Sequence, residues 1–263
     1  MTLFLLLAGY TFLYVPIALM LVFSFNDSRL LTVWTGFSWR WYVALWQDRA
    51  LIEAGLLSLR IAALSATGAT VLGAMAGFAL ARFGRFRGRG GLAAILAVPL
   101  VLPDAVAGLA LLLLFVALER LVGWPAGRGA VTVTLAHMSF SLAYVAIVVQ
   151  GRLAGAGVEL EEAAADLGAP PGRVFRRVTL PLMAPALVSG WLLAFTLSLD
   201  DVVIASFTTG PGATTLPMVL FSSMKLGPTP EMFALASVVL GVVLLALLGA
   251  SLARVASAEA IPR

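Results

Sequence analysis

The sequence predicts an all-α, polytopic membrane protein with six transmembrane helices and both termini in the cytoplasm. Three observations predict it. Of 263 residues, 61% are apolar and only 11% charged, about half the charged share of a soluble domain. Apolar runs of about twenty residues recur along the chain, long enough to cross a bilayer core of about 30 Å. Finally, the basic residues load alternate connectors. Ten of them (Arg82, Arg85, Arg87, Arg89, Arg152, Arg173, Arg176, Arg177, Arg254 and Arg263) fall after the second and fourth spans or at the C-terminus. Six (Arg29, Arg40, Arg49, Arg120, Arg128 and Lys225) are spread over the longer connectors on the other side. Lys and Arg accumulate on the cytoplasmic face, which fixes the orientation.

Composition also excludes function classes. The chain has no cysteine, so disulfides and thiolate metal sites are ruled out. Its single lysine, Lys225, follows Met224, so no GxxxxGK[ST] phosphate loop exists and any ATP must be hydrolysed by a partner. One histidine and no clustered ligands leave no machinery for a membrane enzyme, so no metal site and no cofactor are assigned. The net charge of +4 sets topology and implies no nucleic-acid partner.

The first span, about Leu3 to Phe25, is too long for a signal-peptide apolar region and reads as a retained span. No basic residue precedes it, an unusual start for a helix beginning inside, and a longer native N-terminus is the expectation. Residues Asn26 to Glu53 carry Trp34, Trp39, Trp41, Tyr42 and Trp46. Tryptophan and tyrosine favour headgroup level, so this connector reads as interfacial, with contact to an external partner as the alternative. The second span, about Leu56 to Ala81, is rich in Gly and Ala that permit close helix packing, with Arg60 near its outer end. After the basic loop RFGRFRGRG comes the third span, about Leu92 to Leu118, interrupted by Pro99 and Pro103. The fourth covers about Ala130 to Val149, the fifth about Ala184 to Phe207 and the sixth about Phe233 to Arg254. No repeat or separate soluble domain is visible, so residues 1–263 form one transmembrane domain with a cytoplasmic loop at about 152–181.

That loop holds ELEEAAADLGAPPGRVFRRVTLP, Glu159 to Pro181. Glu159 to Leu167 reads as a short helix with acids in its first turn, where the helix dipole favours them. Gly168 is a left-handed stop, and Pro170-Pro171 begins a second short helix with Val174, Phe175 and Val178 on one face, ending at Leu180-Pro181. The result is a helix–turn–helix bracket, charged outside and opened by the small Ala163, Ala164 and Ala165.

Three carboxylates fall inside predicted spans. Asp104 lies about 18 Å along the third span, near mid-membrane, while Asp200 and Asp201 lie about 24 Å along the fifth, in its outer third. Intramembrane acids are costly and mark function or pairing with a base. No Lys or Arg except Arg60 is placed at matching depth, so a cationic solute would fill the gap. Adjacent aspartates point about 100° apart, so only one of Asp200 and Asp201 need face a pathway. Capping beside a helix break is the competing role for all three, most directly for Asp104 after Pro103. Trp191 and Phe195, at i and i+4, offer aromatic faces to an ammonium group, with packing or lipid contact as the alternative. His137 has no acid nearby in sequence and is given no role.

The bracket resembles the coupling loop of the membrane subunits of ATP-binding-cassette importers: Glu162-Ala163-Ala164, three residues, Gly168, nine residues, Val178, one residue, Leu180-Pro181, with every spacing kept. Beyond it, LSLDDVVIASFTTGPGATTLPMVLFSSMKLGPTPEMFALA, LYVPIALMLVFSFNDS and PLVLPDAVAGLALLLLFVAL are similar to the spermidine and putrescine importer permeases, most to the putrescine type. The resemblance implies the type I importer permease fold in the bacterial inner membrane. It implies a second homologous permease subunit, two ATP-binding subunits (which use ATP and Mg) docked at 159–181, and a periplasmic polyamine-binding protein. Glu162, Ala163, Ala164, Asp166, Gly168, Leu180 and Pro181 are then the coupling residues, and Asp104, Trp191, Phe195, Asp200 and Asp201 the candidate substrate path. Arg60 departs from the family pattern. Ferric ion, thiamine or a small peptide is the alternative cargo, and a channel or gradient-driven carrier the alternative class.

Overall fold

The computed structural model describes residues 2–29, 33–227, 229–242 and 244. Among them every regular element is helical: α1 (Thr2–Phe23), α2 (Arg40–Gln47), α3 (Arg49–Arg82), α4 (Arg89–Val101), α5 (Asp104–Val122), α6 (Ala130–Ala156), α7 (Glu159–Asp166), α8 (Pro171–Val174), a π turn (Phe175–Thr179), α9 (Leu180–Asp200), α10 (Val203–Thr208), α11 (Leu216–Leu226) and α12 (Pro230–Val242). Five helical stretches have the length and composition to cross a membrane: Phe4–Phe23, Arg49–Arg82, Asp104–Val122, Ala130–Ala156 and Pro171–Asp200. The helices α4 and α12 are apolar but shorter. The chain divides into two units, residues 1–52 with 220–263 and residues 53–219.

In the first unit, α1 is apolar on all faces, as a lipid-facing helix is. The connector behind it folds around Asn26, which is 1% exposed. The Asn26 amide donates to the Val33 carbonyl at 2.7 Å and its side-chain oxygen accepts from the Thr35 N–H at 3.0 Å, while the Trp41 indole donates to the Asn26 carbonyl at 2.7 Å. Phe25 sits among Phe37, Trp39 and Tyr42 with ring centroids 4.9–5.2 Å apart. Trp34, Trp39 and Trp46 remain exposed. The sixth predicted span begins with α12; apart from residue 244, its continuation to Arg254 lies outside the described residues.

The second unit is built around α6. Ala66 and Ala69 of α3, Val145, Val149 and Leu153 of α6, and Met183, Ala186 and Ala194 of α9 form one buried cluster. Small residues set the spacing. A Cβ at Gly73 would sit 2.8 Å from the Leu142 carbonyl oxygen, and one at Gly190 would sit 3.2 Å from Val145 Cγ1. In lipid, such backbone approach supplies the packing that hydrophobicity alone does not. Leu96 of α4 packs on Ala143 and Ala146, and Phe115 of α5 with Ile204 of α10 covers Ala136.

Three sequence expectations change here. The third span is interrupted at one proline and not at both: Pro99 lies inside α4, whereas at Pro103 the chain divides, α4 stopping at Val101 and α5 starting at Asp104. Pro103 forces the preceding residue out of the helical region, and Leu102 is extended at ψ 137°. The fifth span likewise breaks after Asp200, with Asp201 extended and α10 set off as a separate short helix. The bracket's second helix, expected to end at Leu180-Pro181, runs without interruption into α9 instead. Pro181 supplies no N–H and its ring crowds the carbonyl four residues earlier. The chain absorbs this with the π turn, where the Leu180 N–H reaches back to the Phe175 carbonyl.

Candidate functional site

The bracket forms as its residues dictate. Glu159, Glu161 and Glu162 occupy the first turn of α7. Gly168 closes the helix at φ +78°. Its N–H meets the Ala165 carbonyl at 2.8 Å and the Ala169 N–H meets the Ala164 carbonyl at 3.1 Å, the paired bonds of a Schellman stop. Glu162, Ala163, Asp166 and Gly168 are exposed. At the tip, Leu167 is 90% exposed.

Behind the exposed face, the bracket is clamped to the spans. Arg82, the last residue of α3, donates through Nη1 to the Leu153 carbonyl at 3.0 Å and through Nη2 to the Gly157 carbonyl at 2.6 Å, at the C-terminal end of α6. There the helix dipole favours a cation. Its Nε lies 2.7 Å from Glu161 Oε2, a charge contact between side chains only 9% and 16% exposed. Thr179 Oγ1 completes the clamp by donating to Glu161 Oε1 at 2.7 Å. Arg82 and Glu161 together therefore join α3, the end of α6, α7 and the π turn. Phe78 lies edge-on to Phe83 and Phe175, with centroids 5.5 and 5.7 Å away, beside a cleft of about 450 Å³ between α3 and the bracket.

A second polar cluster lies in the spans. His137, 2% exposed, places Nδ1 2.7 Å from Ser198 Oγ and Nε2 3.1 Å from Asp201 Oδ2, while Ser65 Oγ lies 3.0 Å from Ser198 Oγ. An ionised Asp201 can only accept, so in the neutral imidazole Nε2 carries the hydrogen and Nδ1 accepts from Ser198. Asp201 also accepts from the Ile204 N–H at 3.2 Å and the Ala205 N–H at 2.7 Å, capping α10. Asp201 is thus occupied by the fold. Asp200, its neighbour, is exposed at the end of α9, and Asp104 is exposed at the first position of α5. Among the described residues no ion pair engages either. Trp191 and Phe195 stack 5.1 Å apart at 14° and pack on the α6–α9 core, with the Trp191 indole donating to Thr67 Oγ1 at 3.1 Å.

The model of the family described as "Binding-protein-dependent transport system inner membrane component" matches residues 69–258. The chain belongs to that family. It is 57% identical over 238 residues to the putrescine transport system permease protein PotI of Escherichia coli, a match covering 90% of this chain and 85% of PotI. It is 42% identical over 232 residues to the spermidine/putrescine transport system permease protein PotC of Haemophilus influenzae, covering 88% of this chain and 87% of PotC. Among solved structures it superposes on a chain of a bacterial ABC transporter involved in the import of the acidic polysaccharide alginate. The TM-score is 0.70 at 15% identity, over 96% of this chain and 94% of that one. At that identity the likeness establishes the permease fold alone.

Within this permease family fold, sequence reasoning missed Arg82, Glu161, Thr179 and His137. An intramembrane histidine was the available signal, since an ionisable residue in a span implies a partner. That partner lies 64 residues away in the chain, a distance no local pattern bridges.

Proposed function

We propose that this chain is the membrane-spanning subunit of an ATP-driven importer and forms the translocation path for polyamines. The observation that carries the reading is the 57% identity to a putrescine permease across 90% of the chain. In this reading the chain is a non-catalytic subunit of the bacterial inner membrane. It works with a second permease subunit, two ATP-binding subunits seated on 159–181, and a periplasmic binding protein that delivers the cargo. Six crossings put both termini in the cytoplasm, with α4 and α5 together making the third, α9 and α10 the fifth, and α12 opening the sixth.

The geometry gives this reading a mechanism. The exposed side of α7 and its stop, with Glu162, Ala163, Asp166, Leu167 and Gly168 around the half-buried Ala164, receives the movement of the ATP-binding subunits. Leu180 and Pro181 stand where the bracket becomes α9, so the movement passes into one stiff helical run from Pro171 to Asp200. At its far end, α9 carries Asp200 free to meet a cation, while Asp201 pins the break to α6 through His137. Asp104 at the α4–α5 break offers a second carboxylate; Trp191 and Phe195 back the path from the core.

Uptake of labelled putrescine by cells bearing the assembled importer, challenged by a panel of solutes, tests the cargo. Unlabelled putrescine and spermidine are expected to compete, and thiamine, ferric ion and small peptides to leave uptake unchanged. Competition by one of the latter and none by polyamines would move the assignment to that solute.

A further inference from the structure

On the other flank of the bracket lies a pocket of about 400 Å³, lined by Arg152, Leu160, Arg177, Val178, Pro181 and Leu182. Its two guanidiniums come from different elements, α6 and the π turn. Arg152 is braced by its Nε, which donates to the Leu182 carbonyl at 3.2 Å; among the described residues no hydrogen bond engages its two Nη groups, and neither arginine pairs with a carboxylate. The acids of α7 do not line this pocket. Glu161 is committed to Arg82 on the other flank. The remaining walls are apolar: Leu160 of α7, Val178 of the π turn, and Pro181 and Leu182 of the first turn of α9.

We infer that this pocket holds the headgroup of an anionic phospholipid from the cytoplasmic leaflet. Two unpaired guanidiniums give a fork geometry suited to a phosphate diester. The apolar walls, two of them (Pro181 and Leu182) in the first turn of α9, give the start of an acyl chain a surface to lie against. Basic pockets between transmembrane helices on the cytoplasmic side take anionic headgroups for this reason. A carboxylate from an ATP-binding subunit is the competing occupant, but two guanidiniums beside four apolar side chains, with no polar uncharged group in the lining, match a phosphate carrying acyl chains better than a protein carboxylate. A lipid seated here would brace the junction of bracket and α9. The inference rests on the cytoplasmic placement of the bracket given above.

The test uses the assembled importer, purified and carried through stepwise delipidation, with retained phosphatidylglycerol counted by native mass spectrometry. Reconstitution in bilayers of phosphatidylcholine with and without 30% phosphatidylglycerol (about that fraction suffices to set a negative surface potential) gives the parallel affinity. The double variant R152Q/R177Q is expected to weaken retention on the order of 30-fold, as loss of two cations near a charged surface does. R152K/R177K, which keeps the charge and guards against misfolding, should retain most of it, and R87Q, which does not line the pocket, should match wild type. Equal retention by R152Q/R177Q and wild type would overturn the inference. So would unchanged lipid retention with loss of the ATP-binding subunits, which would assign the arginines to that partner. The placement itself is checked separately by Arg173→Cys in this cysteine-free chain. Labelling by an impermeant maleimide in inside-out vesicles alone supports it, and labelling in right-side-out vesicles refutes the topology whatever the lipid result.

Discussion

Replacing Arg82 by alanine is expected to lower polyamine uptake at least ~10-fold and to leave ATP hydrolysis by the assembled importer unresponsive to loaded binding protein. The reason lies in the number of elements this side chain joins. Its removal strips two carbonyls at the end of α6 of their donor and leaves Glu161 facing only Thr179. Removing one partner of a largely buried ion pair costs about 3 kcal/mol or more, because the other charge stays behind without compensation. The loss falls on the joint between bracket and spans rather than on the α6–α9 core, so the protein should still insert and assemble. Arg82→Lys should retain part of the coupling, since a point charge can meet Glu161 but cannot span both carbonyls. The exchange Arg82→Glu with Glu161→Arg should fail to rescue, because the new carboxylate would face the Leu153 and Gly157 carbonyls. Rescue by that exchange would show that the ion pair alone matters. ATPase and uptake assays on the same preparations separate loss of coupling from loss of assembly.

Asp200 and Asp201 are expected to respond in opposite ways, although they are adjacent and chemically identical. Asp201→Ala leaves His137 Nε2 and the N–H groups of Ile204 and Ala205 without their acceptor. Each unsatisfied buried group costs about 1–3 kcal/mol, so the variant should melt well below wild type in detergent and reach the membrane in reduced amount. Asp201→Asn keeps an oxygen for the cap and should recover part of that loss. Asp200→Asn breaks no ion pair and no hydrogen bond to another side chain among the described residues and should melt with wild type. Its putrescine uptake should fall on the order of 10-fold, the loss of one hydrogen bond to a charged group. Equal uptake by Asp200→Asn and wild type would remove Asp200 from the path. A wild-type melting temperature for Asp201→Ala would contradict the capping role. Thermal melting and initial-rate uptake, measured side by side, decide both.

These two results also mark what the sequence made legible. The bracket's first helix and turn could be read almost to the residue, because their determinants are local: acids in a first turn, a left-handed glycine, a proline pair. The spans α1, α3 and α6 were legible for the same reason, apolar composition over sufficient length. The breaks were harder. Pro103 signalled one, but whether a proline bends or divides a span depends on what receives the freed carbonyls. The break after Asp200 has no proline at all; it is stabilised by a cap that Asp201 makes forward and by a histidine from another helix. The continuity from α8 into α9 was misread because a proline usually closes a helix, and the π turn that accommodates Pro181 leaves no mark in composition. Arg82 was read only as one more positive charge setting topology, since the carboxylate it clamps lies in the bracket, 79 positions further along.

The central claim is that cargo arriving on one side of the membrane is coupled, through this bracket, to ATP hydrolysis on the other. ATPase activity of the full complex in lipid, with and without putrescine-loaded binding protein, tests it most directly when wild type is run beside Gly168→Asp. Gly168 holds φ +78° with no atom within 4 Å of where a Cβ would stand, so aspartate costs about 1–2 kcal/mol of local strain while adding bulk and charge to the face proposed to receive the ATP-binding subunits. Stimulation in wild type and its loss in Gly168→Asp is the predicted result. Equal stimulation in both would contradict the docking role, and no stimulation by any polyamine would contradict the cargo.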